Sequence, residues 1–144
     1  MPETTATRID VDQFLAHPPA KVWRALTEPD LMARWLMPND FAPVVGHRFT
    51  FTTTPIPAAD FDGVAHCEVL ELEPEKLLRI TWRGGHLDTT VTWRLEPEGT
   101  GTRMFVTHDG FDPTDPIQAQ ALRGMGSGWR SHVLRGLEQV LTDL

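Results

Sequence analysis

Residues 117–144 read IQAQALRGMGSGWRSHVLRGLEQVLTDL, and this stretch decides the fold. Its apolar residues recur at steps of three and four, which is the spacing of one face of an α-helix. The residues of this stripe are Leu122, Met125, Trp129, Val133, Leu137, Val140 and Leu144. The pattern predicts a long C-terminal helix with a buried apolar face.

Three closely spaced glycines, Gly124, Gly126 and Gly128, interrupt this stripe next to Trp129. An interior glycine costs a helix roughly 1 kcal/mol relative to alanine, so the cluster needs a reason. We favour a helix that crosses a curved sheet, where the missing side chains allow close backbone approach or leave space for a ligand. On this interpretation, a Gly128→Leu substitution would fill the space between helix and sheet that is left for a ligand. The alternative is a loop at 124–128 that separates two shorter helices.

Upstream of this stretch, the chain alternates between strand-like and helix-like patterns. Arg8–Phe14 predicts a first strand, and two short helices follow at 20–27 and 31–36. From Val45 to His108, period-two alternation and short glycine turns predict five or so antiparallel strands in a meander. One helix must then cover the apolar face of the sheet.

Composition limits the class of protein. A length of 144 residues favours one domain over residues 1–144. The formal charge is −7 and no basic stripe is present, so we expect no nucleic-acid partner. The single Cys67 excludes an internal disulfide and suits a reducing compartment. No apolar run approaches the roughly 20 residues of a membrane span, and MPETTATRID lacks a signal-peptide core, so we expect a cytoplasmic protein.

The sequence offers little recognisable catalytic chemistry. Its six histidines form no metal-binding pattern, so we expect no metal and no cofactor. Ser127 lies directly between Gly126 and Gly128, whereas a nucleophile elbow needs glycines two residues away on either side. We therefore expect Ser127 to be a small helix residue and predict no catalytic residue from these patterns.

Several motifs together resemble a known family. They are PAKVWRALT (19–27), WLMP (35–38), VGHRF (45–49), Gly63, EVLEL (68–72), LRITW (78–82), TVTW (90–93) and the glycine-rich stretch 124–129. In order and spacing they are similar to the SRPBCC (START-like, birch-pollen-allergen-like) superfamily, and within it to the AHSA-like family, bacterial homologues of the activator of a heat-shock chaperone ATPase. The resemblance covers about residues 8–143.

This resemblance implies an α+β helix-grip fold. Such a fold has a curved antiparallel sheet wrapped around a long C-terminal helix, two short helices after the first strand, and a cavity between helix and sheet. It does not imply a reaction, because the same fold serves many functions. No catalytic residue is carried over from the family.

The expected cavity is lined by aromatic and apolar residues with a few polar groups. The residues that we assign to it are Trp35, Phe51, His66, Trp82, Asp88, Trp93, Phe105, Met125 and Trp129. His66 and Asp88 would supply its polarity, and Thr90 and His108 are further polar candidates. The alternative for each polar residue is a position on the solvent face of its strand.

Three functions remain open at this point. The first is the binding of a small apolar or amphipathic molecule, by a monomer or a homodimer. The second is a chaperone-associated protein that acts through its surface, with the chaperone as its partner. The third is a cavity enzyme of cyclase, dehydratase or hydrolase type, with His66 and Asp88 as the acid–base candidates.

Overall fold

A computed structural model describes residues 7–144, except for the side chain of His132. Residues 1–6 lie outside the described part. The expectation that the N-terminal stretch MPETTATRID is not a signal peptide falls mostly on these residues. The six strands are β1 (Arg8–Leu15), β2 (Arg48–Thr52), β3 (Val64–Glu73), β4 (Leu77–Gly84), β5 (Leu87–Glu98) and β6 (Gly101–Asp109). They form one antiparallel sheet in the order β1-β6-β5-β4-β3-β2. The predicted meander is confirmed.

Alternation along the strands decides which side chains face the core. On β5, Thr89, Val91, Trp93 and Leu95 are buried, whereas Asp88 is exposed. A register shift in β3 between Val69 and Glu71 interrupts its pairing with β4. Because such bulges bend a strand and increase its twist, this one contributes to the curvature of the sheet.

Two short helices, α1 (Pro19–Thr27) and α2 (Pro29–Trp35), follow β1 as predicted. Each begins with a proline, whose fixed φ and missing N–H suit the first helical turn. The Trp35 indole Nε1 donates a hydrogen bond of 2.8 Å to the backbone oxygen of Ala25. This bond joins the two helices at a buried point.

The C-terminal segment is helical throughout and comprises α3 (Pro116–Gly128), a π-turn (Trp129–Val133) and α4 (Leu134–Asp143). Gly128 has helical backbone angles of φ −60° and ψ −48°. The predicted long helix is confirmed, and the alternative of a loop at 124–128 is wrong.

The π-turn was not predicted, and it shifts the apolar stripe. A π-turn holds more residues than an α-helical turn, so the buried face continues one residue later than an α-helix would place it. After Trp129 the buried positions are therefore Leu134, Leu137, Val140 and Leu141, while Val133 is only partly buried and Leu144 is exposed.

Cys67 lies in β3 and is 4% exposed. Burial raises the pKa of its thiol to about 12. The reactive thiolate is therefore scarce, and we expect iodoacetamide to leave Cys67 unmodified in the folded protein at mildly alkaline pH. Mass spectrometry before and after denaturation checks this, and rapid labelling of the folded protein would contradict it.

Candidate functional site

A cavity of about 460 Å³ lies between α3 and one end of the sheet. Helix α3 contributes Ile117, Gln120, Ala121, Gly124 and Met125. These residues follow one another at alternating steps of three and one, so one face of α3 borders the cavity. The sheet supplies further lining residues, Ala65, Trp82, Gly84 and Leu87.

A short segment between β2 and β3 forms another wall. We call residues 56–61 the flap; they contain the 3₁₀ helix Pro57–Ala59 and are closed by a bridge between Ile56 and Phe61. The flap contributes Ile56, Ala58, Ala59 and Phe61 to the lining. Among the described lining residues, the polar side-chain groups are those of Thr53, His86 and Gln120 together with the indole N–H of Trp82. The cavity is therefore mainly apolar.

The glycines of α3 differ in their surroundings. Gly124 borders the cavity, and a Cβ added there would meet no atom within 4 Å. A Cβ added at Gly128 also meets no atom within 4 Å, but Gly128 does not line the cavity. At Gly126 an added Cβ would lie 3.7 Å from Ile9 Cγ1. Of these three glycines, Gly124 is therefore the one that borders the cavity, which corrects the placement at Gly128.

Of the nine residues assigned to the cavity from sequence, Trp82 and Met125 border it. Phe51 stacks on Trp82 with ring centroids 5.0 Å apart, but it lies in the core rather than in the lining. Trp93 contacts both Trp35 and Trp129 edge to face, at 6.4 and 5.9 Å. These four residues are buried in the core and do not belong to the lining of the cavity.

His66, Asp88 and Phe105 lie on the outer face of the sheet, which corrects their assignment to the cavity. Asp88 forms an exposed ion pair of 2.8 Å with Arg83. The Phe105 ring lies 4.6 Å below the Arg94 guanidinium. Each of the three is one residue out of phase with buried neighbours on its strand, so side-chain alternation turns it outward. Thr90 is half-buried on the same outer face.

His108 is fully buried, and its hydrogen bonds define its protonation. The Trp129 indole Nε1 donates to Nδ1 at 3.2 Å, and Nε2 lies 2.8 Å from Thr89 Oγ1. The Thr89 hydroxyl in turn donates to the Trp82 carbonyl, so Nε2 of His108 carries the hydrogen. Burial lowers the pKa of His108 to about 3. It is a neutral structural residue that does not line the cavity.

His86 lines the cavity, although no sequence pattern marks it as a site residue. It lies in the turn between β4 and β5, with Nε2 2.7 Å from Asp60 Oδ2 and Nδ1 2.7 Å from Asp115 Oδ2. Hydrogen bonds to Asp115 and Asp60 raise the pKa of His86. The same contact with His86 lowers the pKa of Asp115. The two carboxylates are 26 and 29 residues from His86 along the chain, so no local motif signals the cluster.

Among the described residues, no group of three histidine, cysteine or acidic side chains is arranged to hold a metal ion. In the same part of the chain, no helix is long and apolar enough to span a membrane.

A model of the family described as Activator of Hsp90 ATPase homolog 1-like protein matches residues 16–142. The chain belongs to this family. The resemblance inferred from the motifs is therefore confirmed, together with the helix-grip fold that it implied. No curated protein matches the chain.

Solved structures share the fold of this Hsp90-ATPase-activator-like chain over nearly its full length. Protein MLL2253 from Mesorhizobium loti is 41% identical, with a TM-score of 0.83, covering 94% of this chain and 97% of that one. Protein BH1534 from Bacillus halodurans is 25% identical, with a TM-score of 0.79 and the same coverages of 94% and 97%. The Aha1 dimer from Colwellia psychrerythraea is 22% identical, with a TM-score of 0.75 and coverages of 94% and 96%, and supports the fold alone.

Proposed function

We propose that this chain binds a small apolar or amphipathic molecule in the cavity between α3 and the sheet. The observation that carries the proposal is the cavity of about 460 Å³, with its mainly apolar lining. Small-molecule sites are typically concave, with volumes of roughly 300–1,000 Å³ and a few polar groups that orient the ligand. Thr53, His86 and Gln120 are suited to that orienting role.

The gap at Gly124 supports the same proposal. A glycine in the middle of a helix lowers stability by roughly 1 kcal/mol relative to alanine. At Gly124 no close backbone contact requires the missing side chain, because an added Cβ would meet no atom within 4 Å. A ligand that extends to Gly124 would occupy the space left by the missing side chain. The glycine would then serve ligand binding, at the expense of some helix stability.

The candidate acid–base side chains, whether or not they line the cavity, favour binding over catalysis. Both ring nitrogens of His86 are engaged by carboxylates, and both nitrogens of His108 are engaged by Trp129 and Thr89. His66 and Asp88, the acid–base candidates from sequence, lie on the outer face. A general acid or base needs a ring nitrogen or oxygen free to meet the substrate, and His86 has none while it bridges the two carboxylates.

Native mass spectrometry of freshly purified protein tests the proposal directly. We expect a bound small molecule, released on denaturation, at up to one per chain. The uncharged fluorophore N-phenyl-1-naphthylamine provides a second measurement, and we expect saturable binding with one site per chain. A clean apo mass together with no saturable fluorescence change would refute the proposal.

The alternative of a chaperone-associated protein is supported by the family description alone. A pull-down with a purified bacterial chaperone of the Hsp90 type tests it separately, because it requires no ligand in the cavity. The cytoplasmic location, and a monomeric or homodimeric state, stay predictions from the sequence. Size-exclusion chromatography with light scattering measures the second of these.

A further inference from the structure

Three segments that border the cavity meet at His86. The flap supplies Asp60, the turn between β4 and β5 supplies His86 itself, and the N-cap position of α3 supplies Asp115. Each carboxylate oxygen lies 2.7 Å from one ring nitrogen. One imidazole therefore joins the flap to the helix across the edge of the cavity.

The geometry of this cluster requires a charged ring. Ionised carboxylates only accept hydrogen bonds, so both ring nitrogens must carry hydrogen, and the ring is then an imidazolium. Asp60 and Asp115 are the charged groups that face it from the flap and from α3. On the hairpin that carries His86, Arg83 and Asp88 pair with each other on the outer face.

The two carboxylates are held to different degrees. Asp115 caps α3 by accepting from the Ile117 amide at 2.9 Å, and its side chain is 24% exposed. The Asp60 side chain is 71% exposed and makes its side-chain hydrogen bond to His86. Asp60 also has a left-handed backbone, with φ 54°, which is an uncommon conformation for a residue other than glycine. When the ring loses a proton, Asp60 is therefore the partner that leaves.

The flap has few other attachments to the hairpin. It lies close to the turn, because a Cβ on Gly85 would be 3.0 Å from the Ala59 oxygen and one on Gly84 would be 3.0 Å from Phe61 Cε1. Its backbone bonds join Ile56 and Phe61 within the flap, and Thr53 to Gly63 at its base. The segment can move about that base without breaking strand pairing of the sheet.

We propose that the flap is a pH-dependent latch on the cavity, closed by His86 when it bridges Asp60 and Asp115 and released when the ring loses one proton. This inference rests on the proposed function, because it assigns the flap the control of ligand entry and release. Since the bridge raises the pKa of His86, it is complete below the ordinary histidine pKa of about 6.5 and is lost as pH rises through the raised value.

The dissociation rate of N-phenyl-1-naphthylamine across this pH range tests the latch. For the unmodified chain we expect the rate to rise by about tenfold as the charge-assisted hydrogen bond is lost. His86→Gln cannot form the charged bridge, so we expect a fast rate with little pH dependence. Asp60→Asn tolerates the left-handed backbone and should also be faster at low pH.

Asp88→Asn is the matched control, because it removes one carboxylate from the same hairpin but on the outer face. It should keep the pH dependence of the unmodified chain. A pH-independent rate in the unmodified chain, or an unchanged pH dependence in His86→Gln, would overturn the latch.

Hydrogen exchange of the flap separates failure of the latch from failure of the proposed function. The amides of Ala59, Asp60 and Phe61 all donate within the flap, and their protection can be measured without any ligand. We expect protection factors, corrected for intrinsic rates, to fall as pH rises in the unmodified chain and to stay low in His86→Gln. Protection factors that do not change with pH in the unmodified chain would refute the latch, even if the fluorophore binds. If the protection factors fall with rising pH as expected but the fluorophore does not bind, only the proposed ligand function is refuted.

Discussion

A Gly124→Leu variant is expected to bind N-phenyl-1-naphthylamine at least about fivefold more weakly than the unmodified chain. Gly124 borders the cavity, and the space beyond its α-carbon is open. A leucine there competes with the ligand for that space. Overpacking a filled site costs about 1–3 kcal/mol, which corresponds to about 5- to 150-fold in affinity.

Gly128→Leu is the matched control for this prediction. It makes the same substitution in the same helical segment, also into open space, but at a residue that does not border the cavity. Both variants should gain up to about 1 kcal/mol of helix stability. Fluorescence titration and thermal unfolding of both proteins measure the two effects. Equal affinities in the two folded variants would contradict the placement of the ligand against α3.

The unfolding free energy is expected to fall as pH drops below about 6.5, by up to about 1.4 kcal/mol per pH unit, because His108 is buried neutral. Its pKa is about 3 in the folded chain. In the unfolded chain the ring takes up a proton at its ordinary pKa, so the unfolded state binds more protons in this range. The stabilisation that comes from neutral His108 is thus fully present above about pH 6.5 and is lost progressively towards pH 3. The loss amounts to about 2 kcal/mol at pH 5.

Urea unfolding at several pH values measures this dependence. His108→Gln should be less stable at neutral pH, because it disturbs the bonds to Trp129 and Thr89, but its acid slope should be shallower. His66→Gln is the control, since His66 is exposed on the outer face, and it should keep the full slope. An acid slope in His108→Gln as steep as in the unmodified chain would contradict the assignment. The His86 bridge has the opposite sign and acts at higher pH.

The fold could be predicted because its signals are local. Prolines begin α1 and α2, glycine turns separate the strands, and period-two alternation marks β5. The same alternation places Asp88 and the buried residues of β5 on different faces of the sheet. The prediction that Asp88 is a polar residue inside the cavity therefore put it on the wrong face. Phe105 was placed in the cavity because it is aromatic. It lies on the outer face, where its ring packs against the Arg94 guanidinium of the neighbouring strand, and no pattern within one strand reveals this contact.

The site was harder to predict because its polar group forms only in three dimensions. His86 is an ordinary turn residue in sequence, and it becomes a bridge between two carboxylates only when the flap and the start of α3 bring Asp60 and Asp115 to it. The π-turn is similarly hidden. The apolar stripe predicts a helix correctly, but Val133 and Leu134 are both apolar, so the stripe does not reveal which of them faces the core.

The π-turn divides the C-terminal helix into two parts that can change independently in evolution. Helix α4 packs against α1 and α2, whereas α3 contacts β1 and borders the cavity. Substitutions at Gln120, Ala121 or Gly124 can therefore alter the shape offered to a ligand without disturbing Leu137 or Leu141 in the core. A chain built this way can change the shape of its cavity at little cost to its stability, so relatives with the same core are expected to differ most along the cavity face of α3.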